Sequence, residues 1–190
     1  MGKKAALQRA YYGQVIFPAK KAYDFNLVDQ DGKPLRLHDL RGKVVVFSFG
    51  FTHCPNICPM TLGDLSSFYK QLSEKDQGRV RVLFISVDPE RDTPEKLKNF
   101  VPFFNPSFTG LTGTEEEIAH TAKEYGAFYE KVLQFTNDTS QLYTMNHSAY
   151  VYVIDPSGNF ALLYNYEQLM DGKRIADDIE NLLQASGNAK

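Results

Sequence analysis

The chain contains two cysteines, Cys54 and Cys58, and they stand four residues apart. Two thiols one helical turn apart lie on the same face, so they can chelate a soft metal ion or close a disulfide. A pair of inert core cysteines is the alternative, but the neighbouring prolines and Asn56 are typical of an exposed loop. The spacing therefore predicts metal or redox chemistry.

The elements around this pair place it where α/β proteins build their sites. Residues 44–50 are almost entirely apolar, which predicts a strand buried on both faces. Residues 51–59 are expected to be a loop that carries both cysteines, and residues 60–72 have helical periodicity. A loop between a strand and a helix lies at the carboxyl edge of the sheet, and the helix N-terminus there favours a thiolate.

A third ligand must come from elsewhere in the chain, because two thiolates alone are an incomplete set for zinc or copper. The histidines are His38, His53, His120 and His147. His147 is the best placed, in a loop just before the predicted strand 149–154, although an ordinary loop histidine is an equally good interpretation from the residues alone. Met60 and Met145 are weaker soft donors. Two sulfurs and one imidazole suit three-coordinate Cu(I), or Cu(II) with an added oxygen donor.

The remaining pattern alternates strands and helices. Strands are predicted over residues 25–28, 34–37, 80–87, 108–111, 149–154 and 160–164, with the first two forming a hairpin around an Asp-Gly turn. Helices are predicted from Pro94, with Thr93 as cap, from Thr114 to about Tyr129, and over residues 173–185. This order predicts an α/β protein with a mixed sheet between helices and an antiparallel edge.

Length and composition exclude several classes. The chain has 190 residues, 43% of them hydrophobic, and a formal charge of -2, so it fits one globular domain without a nucleic-acid-binding basic patch. Two cysteines cannot form a disulfide scaffold. The sequence has neither an apolar run of about 18 residues nor a signal-peptide core. We therefore expect either a cytosolic protein or a fragment that starts downstream of a membrane anchor.

Three motifs, in this order, resemble the Sco (SenC/PrrC) family of copper-binding, thioredoxin-like proteins. They are Phe51-Thr-His-Cys-Pro-Asn-Ile-Cys-Pro59, Val87-Asp-Pro-Glu-Arg-Asp-Thr-Pro94, and Asn146-His-Ser148 ahead of Tyr152-Val-Ile-Asp-Pro-Ser-Gly158. The resemblance runs from about Tyr23 to Leu183, which is nearly the whole domain.

The resemblance implies a thioredoxin-like fold, with a central mixed sheet, flanking helices and an N-terminal β-hairpin extension. It implies a copper site made by Cys54, Cys58 and His147 that assists assembly of the CuA centre of cytochrome c oxidase. The expected partners are subunit II of that oxidase or another copper chaperone. It also implies an upstream anchor facing the bacterial periplasm or the mitochondrial intermembrane space. We accordingly expect an extension over residues 1–22, a copper-binding domain over 23–186 and a flexible tail over 187–190.

Two positions depart from the family pattern, which usually has aspartate where this chain has Asn56 and Asn146. Both changes remove a negative charge beside the expected site, so we expect weaker retention of Cu(II) relative to Cu(I). In the second motif, we interpret Asp88, Arg91 and Asp92 as a solvated turn and a helix cap.

Two other functions compete with copper delivery. The cysteines can act as a thiol-disulfide oxidoreductase or redox sensor, in which Cys54 attacks and Cys58 resolves, possibly to reduce the cysteines of the copper acceptor. Only a copper site needs His147. A peroxidase of the peroxiredoxin type shares the fold, but a close cysteine pair and a nearby histidine fit that chemistry poorly.

Overall fold

The centre of the fold is a pair of parallel strands, β4 (Val44–Gly50) and β5 (Val80–Ser86). Every residue of β4 is buried, and so is every residue of β5 except Arg81. Strands this apolar are stable only when helices cover both faces of their sheet. The structure is a computed structural model, and it describes residues 2–134 and 143–187.

Eight strands build the central sheet. Besides β4 and β5, the chain forms β1 (Gln14–Lys21), β2 (Asn26–Asp29), β3 (Pro34–Arg36), β6 (Thr109–Thr112), β7 (Tyr129–Leu133), β8 (Tyr143–His147), β9 (Val151–Ile154) and β10 (Asn159–Tyr164). Their order across the sheet is β1-β10-β9-β4-β5-β6-β2-β3, while β7 and β8 pair antiparallel in a separate two-stranded ribbon. Among the described strands of the main sheet, only β4–β5 and β5–β6 pair in parallel. The expected mixed sheet and hairpin are confirmed.

Helices connect and cover these strands. They are α1 (Lys3–Ala10), α2 (Ile57–Gln71), α3 (Glu74–Gln77), α4 (Pro94–Phe104), α5 (Glu115–Glu124), α6 (Tyr166–Leu169) and α7 (Gly172–Gly187), with a 3-10 turn at Leu37–Leu40. No helix among the described residues combines the length and apolarity needed to cross a bilayer.

Local capping explains where two helices begin. The Thr93 hydroxyl accepts from the Lys96 amide at the start of α4, and Thr114 forms a reciprocal capping box with Glu117 at the start of α5. Both caps were predicted. The predicted end of the second helix near Tyr129 was wrong, because Gly126 adopts a left-handed conformation (φ 67°) that ends α5 and lets the chain enter β7.

The two ends of the chain meet on one side of the sheet. Strand β1 pairs antiparallel with β10, so the predicted N-terminal extension contains an edge strand of the sheet. The buried Asp178 carboxylate on α7 accepts from the amides of Tyr12 (3.0 Å) and Gly13 (2.8 Å) and from the Tyr164 hydroxyl (2.7 Å). This carboxylate fixes the approach to β1. Helix α7 includes Gly187, and the rest of the predicted tail lies outside the described residues.

An aromatic cluster fills the core under β4. The fully buried Phe47 ring stacks on Tyr152 of β9 with ring centroids 5.0 Å apart and an interplanar angle of 11°. Its other ring contacts are edge-on, to Phe25, Phe49 and Tyr125. Phe47 therefore ties the central strand to its neighbours.

Candidate metal centre

The topology brings three soft or borderline donors to one edge of the sheet. Strand β4 ends at Gly50, and the chain continues directly into the segment with Cys54 and Cys58. Strand β9 runs antiparallel to β4 and pairs Val151 with Ser48, so the residues just before Val151 arrive beside the end of β4. His147 is among them. A histidine 89 residues from Cys58 in sequence is thus placed next to it.

The donor atoms are close enough to share one ion. The Cys58 Sγ atom lies 3.2 Å from the His147 Nε2 atom, and the ligand atoms of Cys54, Cys58 and His147 all lie within 4.8 Å of one another. Both cysteines are free of disulfide bonds, with relative exposures of 8% for Cys54 and 2% for Cys58. Two buried sulfurs and one imidazole nitrogen form a donor set that Cu(I) favours.

Helix α2 begins earlier than the sequence predicted. The expected loop over residues 51–59 ends at Asn56, and both Cys58 and Pro59 lie in the first helical turn. Proline is tolerated there because the first amides of a helix have no intrahelical acceptor. The Cys58 amide instead donates to the Cys54 sulfur at 3.4 Å. The helix N-terminus therefore points at the Cys54 sulfur, as expected for a stabilised thiolate.

The interpretation of the cysteine segment as an exposed loop was wrong for the two sulfurs. Pro55 and Asn56 are exposed, but Cys54 and Cys58 are packed into the core. The reason is a close approach to the strand end: a Cβ atom on Gly50 would lie 3.0 Å from the Cys58 sulfur and 2.5 Å from the Phe84 ring. Only glycine leaves room there for the thiol.

His147 lies at the end of strand β8, and not in a loop as predicted. It pairs with Tyr129 of β7, and the half-buried imidazole meets the Phe51 ring edge-on, with centroids 5.9 Å apart. Its Nδ1 atom lies 3.0 Å from the Ser148 carbonyl oxygen. Since a carbonyl only accepts, we assign the proton of the neutral ring to Nδ1, which leaves the Nε2 lone pair facing the sulfurs.

The two thiols have opposite electrostatic environments. The pKa of Cys54 is lowered to about 4, mainly because the Cys58 thiol donates a hydrogen bond to its sulfur, with further help from the Cys58 and Asn56 amides, while burial opposes the shift. The pKa of Cys58 is raised, because its proton is held by the Cys54 sulfur and because it is buried. The metal-free pair therefore shares one proton, as Cys54 thiolate and Cys58 thiol.

This asymmetry predicts the pH dependence of the metal-free protein. A cysteine in an unfolded chain loses its thiolate as pH falls through about 8.5. Because the pKa of Cys54 is lowered, its thiolate should persist down to about pH 4. Ultraviolet thiolate absorbance, followed as the folded apoprotein is acidified, checks this.

Two variants control that titration. Cys54→Ser should lack the absorbance that persists at acidic pH, and Cys58→Ser should move the Cys54 midpoint upward because the hydrogen-bond donor is weakened. A wild-type midpoint near that of an unfolded cysteine would contradict the assignment.

The interpretation of Asp88, Arg91 and Asp92 as a solvated turn was wrong. Asp88 is 3% exposed and Asp92 is fully buried. The Asp92 carboxylate accepts from the Thr52 amide and hydroxyl and from the Ser86 hydroxyl. A sequence signal was available: β4 and β5 are parallel, so residues that follow β5 emerge at the same edge as the cysteines. Because Asp88, Arg91 and Asp92 stand just before the predicted helix cap at Thr93, we interpreted them as part of a helix start and did not predict their buried contacts.

Among the described residues, the three other histidines do not join this donor cluster. His38, His53 and His120 are exposed, and His53 lies instead near Asp88 and Asp92, whose carboxylates already have partners. Met145 is buried in the ribbon opposite Lys131. Met60 was expected on the apolar face of its helix, but it is 51% exposed.

Fold and site together define a class: a thioredoxin-like domain whose central strand leads into a buried cysteine pair completed by a histidine from a distant segment. The sequence profile of the SCO1/SenC family matches residues 14–184. The chain belongs to this family, which confirms the resemblance seen in the sequence.

Individual relatives agree with the family match. "Protein SCO2, mitochondrial" of Saccharomyces cerevisiae is 38% identical over 180 residues, covering 94% of this chain and 58% of its own length. The chain thus spans about three fifths of this curated relative. Apo Sco1 from Thermus thermophilus has 38% identity and a TM-score of 0.80, covering 90% of this chain and 96% of its own. Bradyrhizobium japonicum ScoI with copper bound has 36% identity and a TM-score of 0.74, covering 85% and 99%.

Proposed function

We propose that this protein is a copper metallochaperone that holds copper through Cys54, Cys58 and His147 and assists assembly of the CuA centre of cytochrome c oxidase. One observation carries the proposal: two thiols and the Nε2 atom of an oriented imidazole lie within 4.8 Å of one another at a buried sheet edge. A solved relative of similar fold holds copper.

The site's chemistry suits copper as cargo. Cys54 is already a thiolate in the metal-free protein, so copper displaces one proton, from Cys58, when both sulfurs bind. The contact between the His147 Nδ1 atom and the Ser148 carbonyl turns the Nε2 atom toward the ion. Three ligands leave Cu(I) accessible to an incoming thiolate, and this allows transfer to a partner by ligand exchange. Cu(II) would require an added oxygen donor.

Partner and location follow from the same proposal. We expect the acceptor to be subunit II of cytochrome c oxidase or another copper chaperone, each of which offers thiolates. We propose that the protein works at the periplasmic face of a bacterial inner membrane, or in the intermembrane space if it is mitochondrial. The yeast relative named as mitochondrial supports the second setting. Fractionation of the source cells tests it, and a soluble cytosolic pool would contradict it.

Metal analysis and an anaerobic Cu(I) titration against a competing chelator test the function. We expect about one copper per chain. Truncating His147 to alanine should weaken Cu(I) binding, because only the two sulfurs remain, and should remove imidazole nitrogen coupling from the Cu(II) spectrum. His120→Ala is the matched control, since His120 is exposed and stacks on Tyr23, away from the two cysteines. Equal Cu(I) affinity in the wild type and His147→Ala would contradict the proposed site.

The thiol asymmetry supports a second candidate, thiol-disulfide exchange. The Cys54 thiolate would attack a partner disulfide and release one thiolate, and Cys58 would then displace the partner's other sulfur. The partner gains two electrons and becomes a dithiol, while this chain is oxidised to a Cys54–Cys58 disulfide. His147 separates the two functions. If His147→Ala supports oxidase assembly in cells as well as the wild type while Cys58→Ser does not, dithiol exchange is the physiological role.

A further inference from the structure

Residues 88–92, between β5 and α4, form a tight turn that contacts both halves of the proposed copper site. The amides of Arg91 and Asp92 donate to the Asp88 carbonyl at 3.1 and 2.9 Å. The Asp88 amide donates to the Ser86 hydroxyl, which in turn donates to Asp92. The turn is therefore internally fixed and attached to the end of β5.

On one side the turn holds the cysteine segment. The fully buried Asp92 carboxylate accepts from the Thr52 amide at 2.9 Å and from the Thr52 hydroxyl at 2.5 Å. Thr52 lies two residues before Cys54. A buried carboxylate that accepts several hydrogen bonds is a strong and specific anchor. The start of the cysteine segment is thus attached to the 88–92 turn.

On the other side the turn holds the β7–β8 ribbon, which carries His147. Arg91 pairs with Asp88 (Nε to Oδ2, 2.5 Å), donates to the Tyr143 carbonyl at 3.0 Å, and lies with Cζ 3.7 Å from the Tyr143 ring centroid. The Tyr143 hydroxyl donates to Asp88 at 2.7 Å. Tyr143 is the first residue of β8, and His147 is the last. The same strand therefore joins the contact with Arg91 to the imidazole.

The ribbon needs such a contact because β7 and β8 pair with each other and not with the main sheet. Four residues of strand span about 13 Å, so a strand fixed at Tyr143 places His147 at a defined distance. A second contact runs through Phe51, since the Arg91 Cζ atom lies 6.0 Å from the Phe51 ring centroid and that ring packs against His147.

We propose that Arg91 is a positioning residue for His147, because it clamps the first residue of β8 to the same turn that anchors the cysteine segment. The proposal rests on the copper site assigned above. Arg91 itself touches none of the three ligands through a hydrogen bond; it fixes the ribbon from which the imidazole reaches the sulfurs. Loss of a group that orients a metal ligand typically costs about 10–100-fold in metal affinity.

A double-mutant cycle with Cu(I) tests this directly. In the wild-type background, Arg91→Met should lower Cu(I) affinity by about tenfold or more. In a His147→Ala background the same substitution should cost less than about twofold, because the residue it positions is gone. Equal losses in the two backgrounds, or no loss in the wild type, would overturn the proposal.

Arg79→Met is the matched control. Arg79 also faces a carboxylate three residues earlier, Asp76, and also donates to a backbone carbonyl, that of Leu183, but neither partner belongs to the site. It should leave Cu(I) affinity unchanged. Because Arg91→Met leaves the buried Asp88 without its cation and weakens the fold, Tyr143→Leu provides a second test from the ribbon side. This variant keeps the Asp88–Arg91 pair and should also weaken Cu(I) binding only when His147 is present.

The metal-free protein gives an independent readout. The His147 ring resonances, observed by nuclear magnetic resonance, should shift in Arg91→Met and in Tyr143→Leu but not in Arg79→Met. If the wild type binds no copper, the proposed function fails, but these spectra still judge the positioning role. Unmoved His147 resonances in folded Arg91→Met and Tyr143→Leu would overturn it whatever the copper result.

Discussion

Replacing Cys58 by serine is expected to lower Cu(I) affinity by more than about 100-fold, beyond the usual cost of losing a group that only orients a ligand. Serine removes a soft sulfur and offers a hydroxyl, which Cu(I) binds poorly. The position cannot adapt by bringing in solvent, because Cys58 is 2% exposed and packs on Gly50. The Cys58→Ser substitution also removes the thiol that stabilises the Cys54 thiolate, so both sulfur ligands are impaired.

Anaerobic competition with a chromophoric Cu(I) chelator measures this loss. Met145→Leu is the matched control, because it deletes another buried sulfur while conserving volume, and it should leave the affinity unchanged. A folded Cys58→Ser protein that retains Cu(I) affinity within tenfold of the wild type would rule out Cys58 as a ligand. Circular dichroism of each variant establishes that the fold is intact.

Truncating Phe47 to alanine is expected to lower the free energy of unfolding by about 3–5 kcal/mol, the usual range for a buried phenylalanine. Phe47 is fully buried in the middle of β4 and contacts four other aromatic rings. Its removal leaves a cavity on the face of the sheet at β4 and β9, the strands that adjoin the cysteine segment and the segment with His147. Urea unfolding of the metal-free protein measures the change.

The chain supplies a control of the same residue type. Phe103 on α4 is 85% exposed, so Phe103→Ala should change the free energy of unfolding by no more than about 0.5 kcal/mol. A loss below about 1 kcal/mol for Phe47→Ala would show that the cluster repacks around the missing ring.

Much of the fold could be predicted because its signals are local. The almost entirely apolar run at Val44–Gly50 predicted a buried strand, and the Thr-Pro and Thr-x-x-Glu sequences at Thr93 and Thr114 predicted two helix starts. The cysteine pair was identified by spacing alone. Each of these depends on residues within a few positions of one another.

The parts that were missed depend on distant contacts. The ribbon strands β7 and β8 are only partly buried, and nothing within either of them predicts the pairing with the other. The burial of Asp92 depends on Thr52, 40 residues away in sequence. The residues alone also did not decide whether His147 is a metal ligand, because that role depends on how β9 returns beside β4. The family resemblance identified His147 as the expected ligand.

The close approach of the Cys58 sulfur to Gly50 closes one side of the site, the side that faces the sheet. The Gly50 backbone and the Phe84 ring close the sheet side of the Cys58 sulfur, whereas Pro55 and Asn56, which lie between the two cysteines in sequence, are exposed. We therefore expect the ion to enter and leave past Pro55 and Asn56. A docked partner would cover the same exposed surface through which a soluble chelator reaches the ion. Copper in a docked complex should therefore be protected from chelators in solution, so that the ion passes directly from one protein to the other.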